Sequence, residues 1–142
     1  MGIWLSKPDA LAPGGANTTH RGRDRPTRNI LQTMNLTNLI TALIIVESSG
    51  NDLAIGDNGR ALGPLQIHRG VVLDVNRITG SHYRHQDMTN RAQARAVCQA
   101  YLTHYGRGAT TEQLARRWNG GPTGDRKTAT VAYWRRVQKV IK

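Results

Sequence analysis

A chain of 142 residues with 38% hydrophobic residues and no Phe fits a single domain with a modest core. A net charge of +11 implies a polyanionic partner, with nucleic acid, an anionic membrane and an anionic cell wall all compatible. One cysteine, Cys98, excludes an intramolecular disulfide framework and argues against a structural zinc cluster, and no stretch approaches the roughly 20 apolar residues of a membrane span.

Residues 1–34 differ from the remainder. Pro8, Pro13, Gly14, Gly15 and Pro26 interrupt them, Arg21, Arg23, Arg25 and Arg28 charge them, and no apolar periodicity runs through them. A flexible basic tail is expected there, with the folded domain over 35–142. Met1-Gly2 with Ser6 fits the loose myristoylation pattern, but Pro8 stands close behind. The beginning of the chain lacks the basic region, apolar run and cleavage site of a signal peptide, so the route of export is left open.

From Leu36 the pattern becomes helical. Leu36, Leu39, Ile40, Leu43, Ile44 and Val46 predict a buried helix capped at Asn35 or Thr37 and stopped at Ser48-Ser49-Gly50-Asn51. The Gly-rich stretch after it, with the turn signal Gly56-Asp57-Asn58-Gly59, predicts a loop or short hairpin. Val71, Val72, Val75 and Ile78 predict a second helix ended by Gly80. A polar loop with His82 and His85 follows; a third metal ligand at suitable spacing is lacking, so both are read as solvated. Ala92, Ala96, Cys98, Ala100 and Leu102 predict a third helix capped near Asp87 or Thr89. Thr110 and Gln113 form a capping-box pattern for a short fourth helix ending near Trp118. Asn119-Gly120-Gly121-Pro122 reads as a loop. Val131, Trp134, Val137 and Ile141 predict a last helix with those side chains inward. The fold class is mainly α (α+β).

Glutamate is scarce: only Glu47 and Glu112 are present. Glu112 falls in a helical first turn, where negative charge complements the helix dipole. Glu47 ends the apolar run Leu43-Ile44-Ile45-Val46. Ionising a carboxyl among apolar neighbours costs desolvation, which favours the protonated form that a general acid needs. By position alone, a helix-end glutamate with a local hydrogen bond is the better fit. Glycoside hydrolysis asks for a second carboxylate, and Asp57 in its Gly-flanked turn or Asp52 nearer the helix end are the candidates.

The motifs in order resemble the lysozyme superfamily, and specifically the invertebrate-type (destabilase-like) lysozymes. Glu47-Ser48-Ser49-Gly50, Asp57 and Leu62-Gly63-Pro64-Leu65-Gln66-Ile67 resemble the opening of that active site. Ala100 to Gly106, Trp118 to Gly124 and Thr128 to Trp134 with Val137-Gln138-Lys139 continue the likeness across residues 40–141. The resemblance implies helices around a cleft with a small β-hairpin wall. It implies cleavage of the β-1,4 bond between N-acetylmuramic acid and N-acetylglucosamine in peptidoglycan, by a monomer without a cofactor. It places Glu47 as general acid and Asp57 as the catalytic aspartate. Gln66, Ile67 and His68 fall in the stretch lining the cleft floor, and Asn119, Gly120 and Gly121 in the facing loop. Trp118 is either core or a sugar-stacking surface.

The chain departs from the family in its lack of disulfides, which suggests a bacterial or phage relative. It also departs at the isopeptidase residues: no serine stands near Gly63-Pro64, and His68 and Trp118 replace a common lysine and histidine. That second activity is therefore not expected. A lytic transglycosylase using Glu47 alone and an inactive wall-binding module remain as alternatives. Nothing signals specific nucleic-acid recognition or stable membrane insertion.

Overall fold

The structure is a computed structural model that describes residues 25–142, and the side chains from residue 33 onward. The tail reading for residues 1–24, and the myristoylation pattern within it, lie outside the described residues. Helix α1 runs Arg25–Ser48, so the domain boundary expected at residue 34 falls inside a helix. The predicted caps Asn35 and Thr37 are interior positions of that helix. Pro26 did not end it because a first-turn residue has no intrahelical use for an N–H. Among the described residues no helix is long and apolar enough to cross a membrane.

The other predicted elements are present. Strands β1 (Ile55–Gly56) and β2 (Ala61–Leu62) pair antiparallel, with Ile55 opposite Leu62. Helix α2 spans Arg69–Thr79 and ends on Gly80 at φ +70°, the left-handed cap expected there. Helix α3 spans Arg91–Tyr105; its cap is Asn90, whose side chain accepts from Gln93 N–H at 3.0 Å, rather than Asp87 or Thr89. Those two belong to a 3-10 turn over His85–Thr89. Helix α4, Thr111–Gly120, carries the full capping box between Thr110 and Gln113, with bonds of 3.2 and 2.9 Å. Helix α5 spans Val131–Val140.

The core forms where the helices meet, around Leu39, Leu43, Val72, Val97, Tyr101, Trp118 and Val137. Cys98 is buried within it as a small apolar group. In α5 the fully inward residues are Tyr133 and Val137, and Trp134 is only half-buried. The segment between α4 and α5 is irregular but tightly held. Arg117 grips Asp125 through two bonds of 2.9 and 3.1 Å. Arg116 donates to the Thr130 hydroxyl at 2.9 Å and to the Lys127 carbonyl at 3.1 Å. This bidentate and charge-assisted bonding fixes the start of α5 against α4.

Candidate active site

Glu47 occupies the last turn of α1, where Ser49 and Gly50 turn left-handed at φ 54° and 82° and end the helix. Its side chain is 7% exposed. Across the core, the Tyr133 hydroxyl of α5 donates a buried hydrogen bond of 2.8 Å to Glu47 Oε1. The Tyr133 hydroxyl is pushed well above its ordinary pKa, by burial first and by the Glu47 charge second. It therefore stays protonated and acts as a fixed donor. Tyr133 is the residue that sequence reasoning missed. The available signal was the stripe Thr130, Tyr133 and Val137, one position off the Trp134 stripe, together with the need of a buried tyrosine hydroxyl for a partner.

The β-hairpin begins immediately beyond. The Ser48 hydroxyl donates to the Pro64 carbonyl at 2.8 Å, stitching the end of α1 to the hairpin exit. At the hairpin tip Asp57, Asn58 and Gly59 are all left-handed, at φ 49°, 55° and 87°. Each of the two non-glycine residues costs about 1 kcal/mol in that region. The turn closes through Arg60 N–H to the Asp57 carbonyl at 3.1 Å. Asp57 is exposed, and its Oδ2 lies 3.3 Å from His68 Nε2 at the start of α2. Asp52, the other candidate second carboxylate, is bound instead by Arg91 of α3 at 2.6 Å, and the same guanidinium donates to the Gly50 carbonyl. Asp52 thus serves the loop after α1.

Gln66 braces the hairpin from behind. Its amide donates to the Ala54 and Gly63 carbonyls at 3.1 and 3.0 Å, with its own backbone left-handed at φ 50°. Two glycines make room. A Cβ on Gly56 would meet Gln66 Oε1 at 2.2 Å, and one on Gly63 would lie 1.7 Å from the Met88 carbonyl. Gln66 is therefore a brace, and its Nε2 donors are used inside the protein.

Four further expectations change. Ile67 is fully buried in the core, so its side chain does not line a cleft floor. Its carbonyl accepts from His85 Nε2 at 2.7 Å, so His85 is a structural tether and not a solvated loop residue. Trp118 is 0% exposed and meets the Tyr101 ring edge-on at 5.6 Å, which leaves no face for a sugar. Asn119, Gly120 and Gly121 are buried as well, with the first two still in α4. The Gly120 carbonyl accepts from Lys127 Nζ at 2.8 Å, and Gly121 N–H donates to the Arg117 carbonyl at 2.9 Å. The Gly120 carbonyl thus ties Lys127 to the end of α4, and the Gly121 N–H closes that helix. The glycines were read as a loop because their composition breaks helices, but α4 uses Gly121 at φ +91° as its stop.

No family model matches the chain. Its fold resembles a chain in the crystal structure of Aeromonas hydrophila PliI in complex with Meretrix lusoria lysozyme, with a TM-score of 0.62 and 27% identity over 72% of this chain and 88% of that one. The architecture is accordingly the lysozyme fold. In sequence the chain is 36% identical over 86 residues to Lysozyme 1 of Crassostrea virginica, a match covering 57% of this chain. In sequence and in fold the chain is thus similar to invertebrate lysozymes. The match spans 45% of that relative's length.

Proposed function

We propose that the chain is a muramidase, a glycoside hydrolase that cleaves the β-1,4 bond between N-acetylmuramic acid and N-acetylglucosamine in peptidoglycan. The reading is carried by Glu47: a carboxyl 7% exposed, at a helix end, aimed by a tyrosine hydroxyl that cannot itself ionise at working pH. Burial disfavours its charged form, and the Tyr133 bond fixes how the carboxyl is held. Glu47 protonates the glycosidic oxygen as the C–O bond breaks. Asp57, exposed beside His68, supports the positive charge that develops at the anomeric carbon or bonds to it. Water then adds to that carbon and returns a proton to Glu47. The basic surface, with net charge +11, suits the phosphates and carboxylates of a wall and holds the enzyme near it.

Glu47→Gln keeps an oxygen for the Tyr133 hydroxyl but removes the transferable proton. Lysis of purified peptidoglycan should fall by about 10²–10⁴-fold or more, with the melting temperature near that of the parent. Lysis within a few-fold of the parent would refute Glu47 as the acid.

A further inference from the structure

We propose that the groove beside His68 is a subsite for the anionic peptide stem carried by the muramic acid units of the wall, an inference that rests on the muramidase reading. The groove encloses about 470 Å³ between the start of α2 and the irregular segment ahead of α3. Arg69 and Val72 line it from α2, Leu62 from β2, and Tyr83, Arg84 and His85 from the opposite wall.

The groove adjoins the candidate active site at two points. Arg69 directly follows His68, whose ring stands 3.3 Å from Asp57. Leu62 pairs with Ile55, one residue before the strand end that leads into the Asp57 turn. A substituent on a glycan held at Asp57 would meet this groove next along the chain.

The far wall is a loop that runs into the 3-10 turn at His85, and it is anchored along its length. Asn76 exchanges two hydrogen bonds with the backbone of Tyr83, at 2.8 and 2.9 Å. Arg84 is held by both oxygens of Asp87, at 3.0 and 3.1 Å. His85 is bonded to Ile67. A wall held this way needs little ordering when a ligand arrives.

The chemistry of the lining is mixed. Val72 closes the floor, and Leu73, 56% exposed, stands at the rim as one of few large apolar side chains in solvent. Arg84 is already neutralised by Asp87. Arg69 has no carboxylate partner among the described residues and presents a guanidinium to the groove. One free cation above an apolar floor matches a short peptide of alanine methyls and a carboxylate. A nucleic-acid or polyphosphate backbone calls instead for a row of cations.

The test uses the full chain carrying Glu47→Gln, so that ligands bind without being cut. Two probes are titrated by calorimetry. One is the N-acetylglucosamine–N-acetylmuramic acid disaccharide with an L-alanyl-D-glutamate stem; the other is the same disaccharide with its lactyl carboxyl capped as the methylamide. The stem should tighten Kd by about tenfold, and Arg69→Ala should remove most of that gain while Arg69→Lys keeps part of it. Equal Kd values for the two probes, or a gain that survives Arg69→Ala, would overturn the subsite and leave the glycan cleft standing. Inorganic phosphate binding as tightly as the stem-bearing probe would make this a phosphate site and also overturn it. Binding of neither probe would remove the muramidase reading, and the subsite with it.

Discussion

Glu47 lies beneath the C-terminal helices, whereas Asp57 stands at the tip of a two-stranded hairpin, and the two carboxyls are held by different physics. A buried hydrogen bond from a residue 86 positions away aims Glu47, and the packing of α1 against α5 fixes that bond. Asp57 is aimed by a local run of left-handed residues, with a brace from Gln66 and a neighbouring imidazole. An acid that must stay protonated benefits from a dry site. A carboxylate that must stay charged benefits from solvent and a nearby cationic or donor ring. On the proposed roles of Glu47 and Asp57, the division of the fold into a packed helical part and an open hairpin suits both.

Breaking each side of this contrast should give unequal losses. Asp57→Asn removes the charge while the exposed turn and its hydrogen-bonding capacity persist. Activity on peptidoglycan should drop by about 10²-fold, with stability nearly unchanged, as read from turbidity clearing and a thermal melt. Near-parental turnover would exclude Asp57 from the second-carboxylate role.

Tyr133→Phe strikes the buried side. It removes the donor from Glu47 Oε1 without changing the ring packing, and should cost about 1–3 kcal/mol of stability. Activity should fall by about tenfold through loss of aim rather than loss of the acid. An unaltered melting temperature together with unaltered kcat would show that the bond positions nothing.

The smallest effect concerns pH. Tyr133 and Tyr101 are both raised far above the ordinary phenol range by burial, and Tyr105 is pushed up to about 12 by partial burial and its bond to Asp74. In the unfolded chain these phenols ionise near pH 10, so it releases protons that the folded chain retains. The stabilisation is complete below about pH 10 and is lost as pH rises through the folded values. The melting temperature should therefore decline from about pH 10 upward, and less steeply in Tyr133→Phe. A flat profile to pH 11 would contradict the burial of these hydroxyls.

Much of this fold was legible in the sequence because its signals are local. The Thr110–Gln113 capping box, the Gly80 stop and the Gly56–Gly59 turn each depend on residues within four positions, and each formed as expected. The burial of Glu47 was legible for a similar reason, since its apolar run precedes it directly. What the sequence concealed is tertiary. Nothing near Tyr133 announces that its hydroxyl crosses the core to α1. The burial of Trp118 depends on Tyr101, in a different helix. The difference in setting between Asp52 and Asp57 comes from Arg91, some forty residues on, which bonds Asp52 to the loop after α1. Asn119-Gly120-Gly121 misled because glycine is read as a loop residue, while here it allows close packing: a Cβ on Gly120 would meet Thr130 Cγ2 at 2.6 Å.

The central claim is that Glu47 donates a proton to a glycosidic oxygen and that water completes the cleavage. Mass spectrometry of peptidoglycan fragments released by the full chain, with Glu47→Gln as the control, tests it most directly. The account predicts fragments ending in reducing N-acetylmuramic acid from the parent and almost none from the variant. Anhydro-muramic ends would indicate a transglycosylase, and abundant fragments from Glu47→Gln would contradict the assignment of the acid itself.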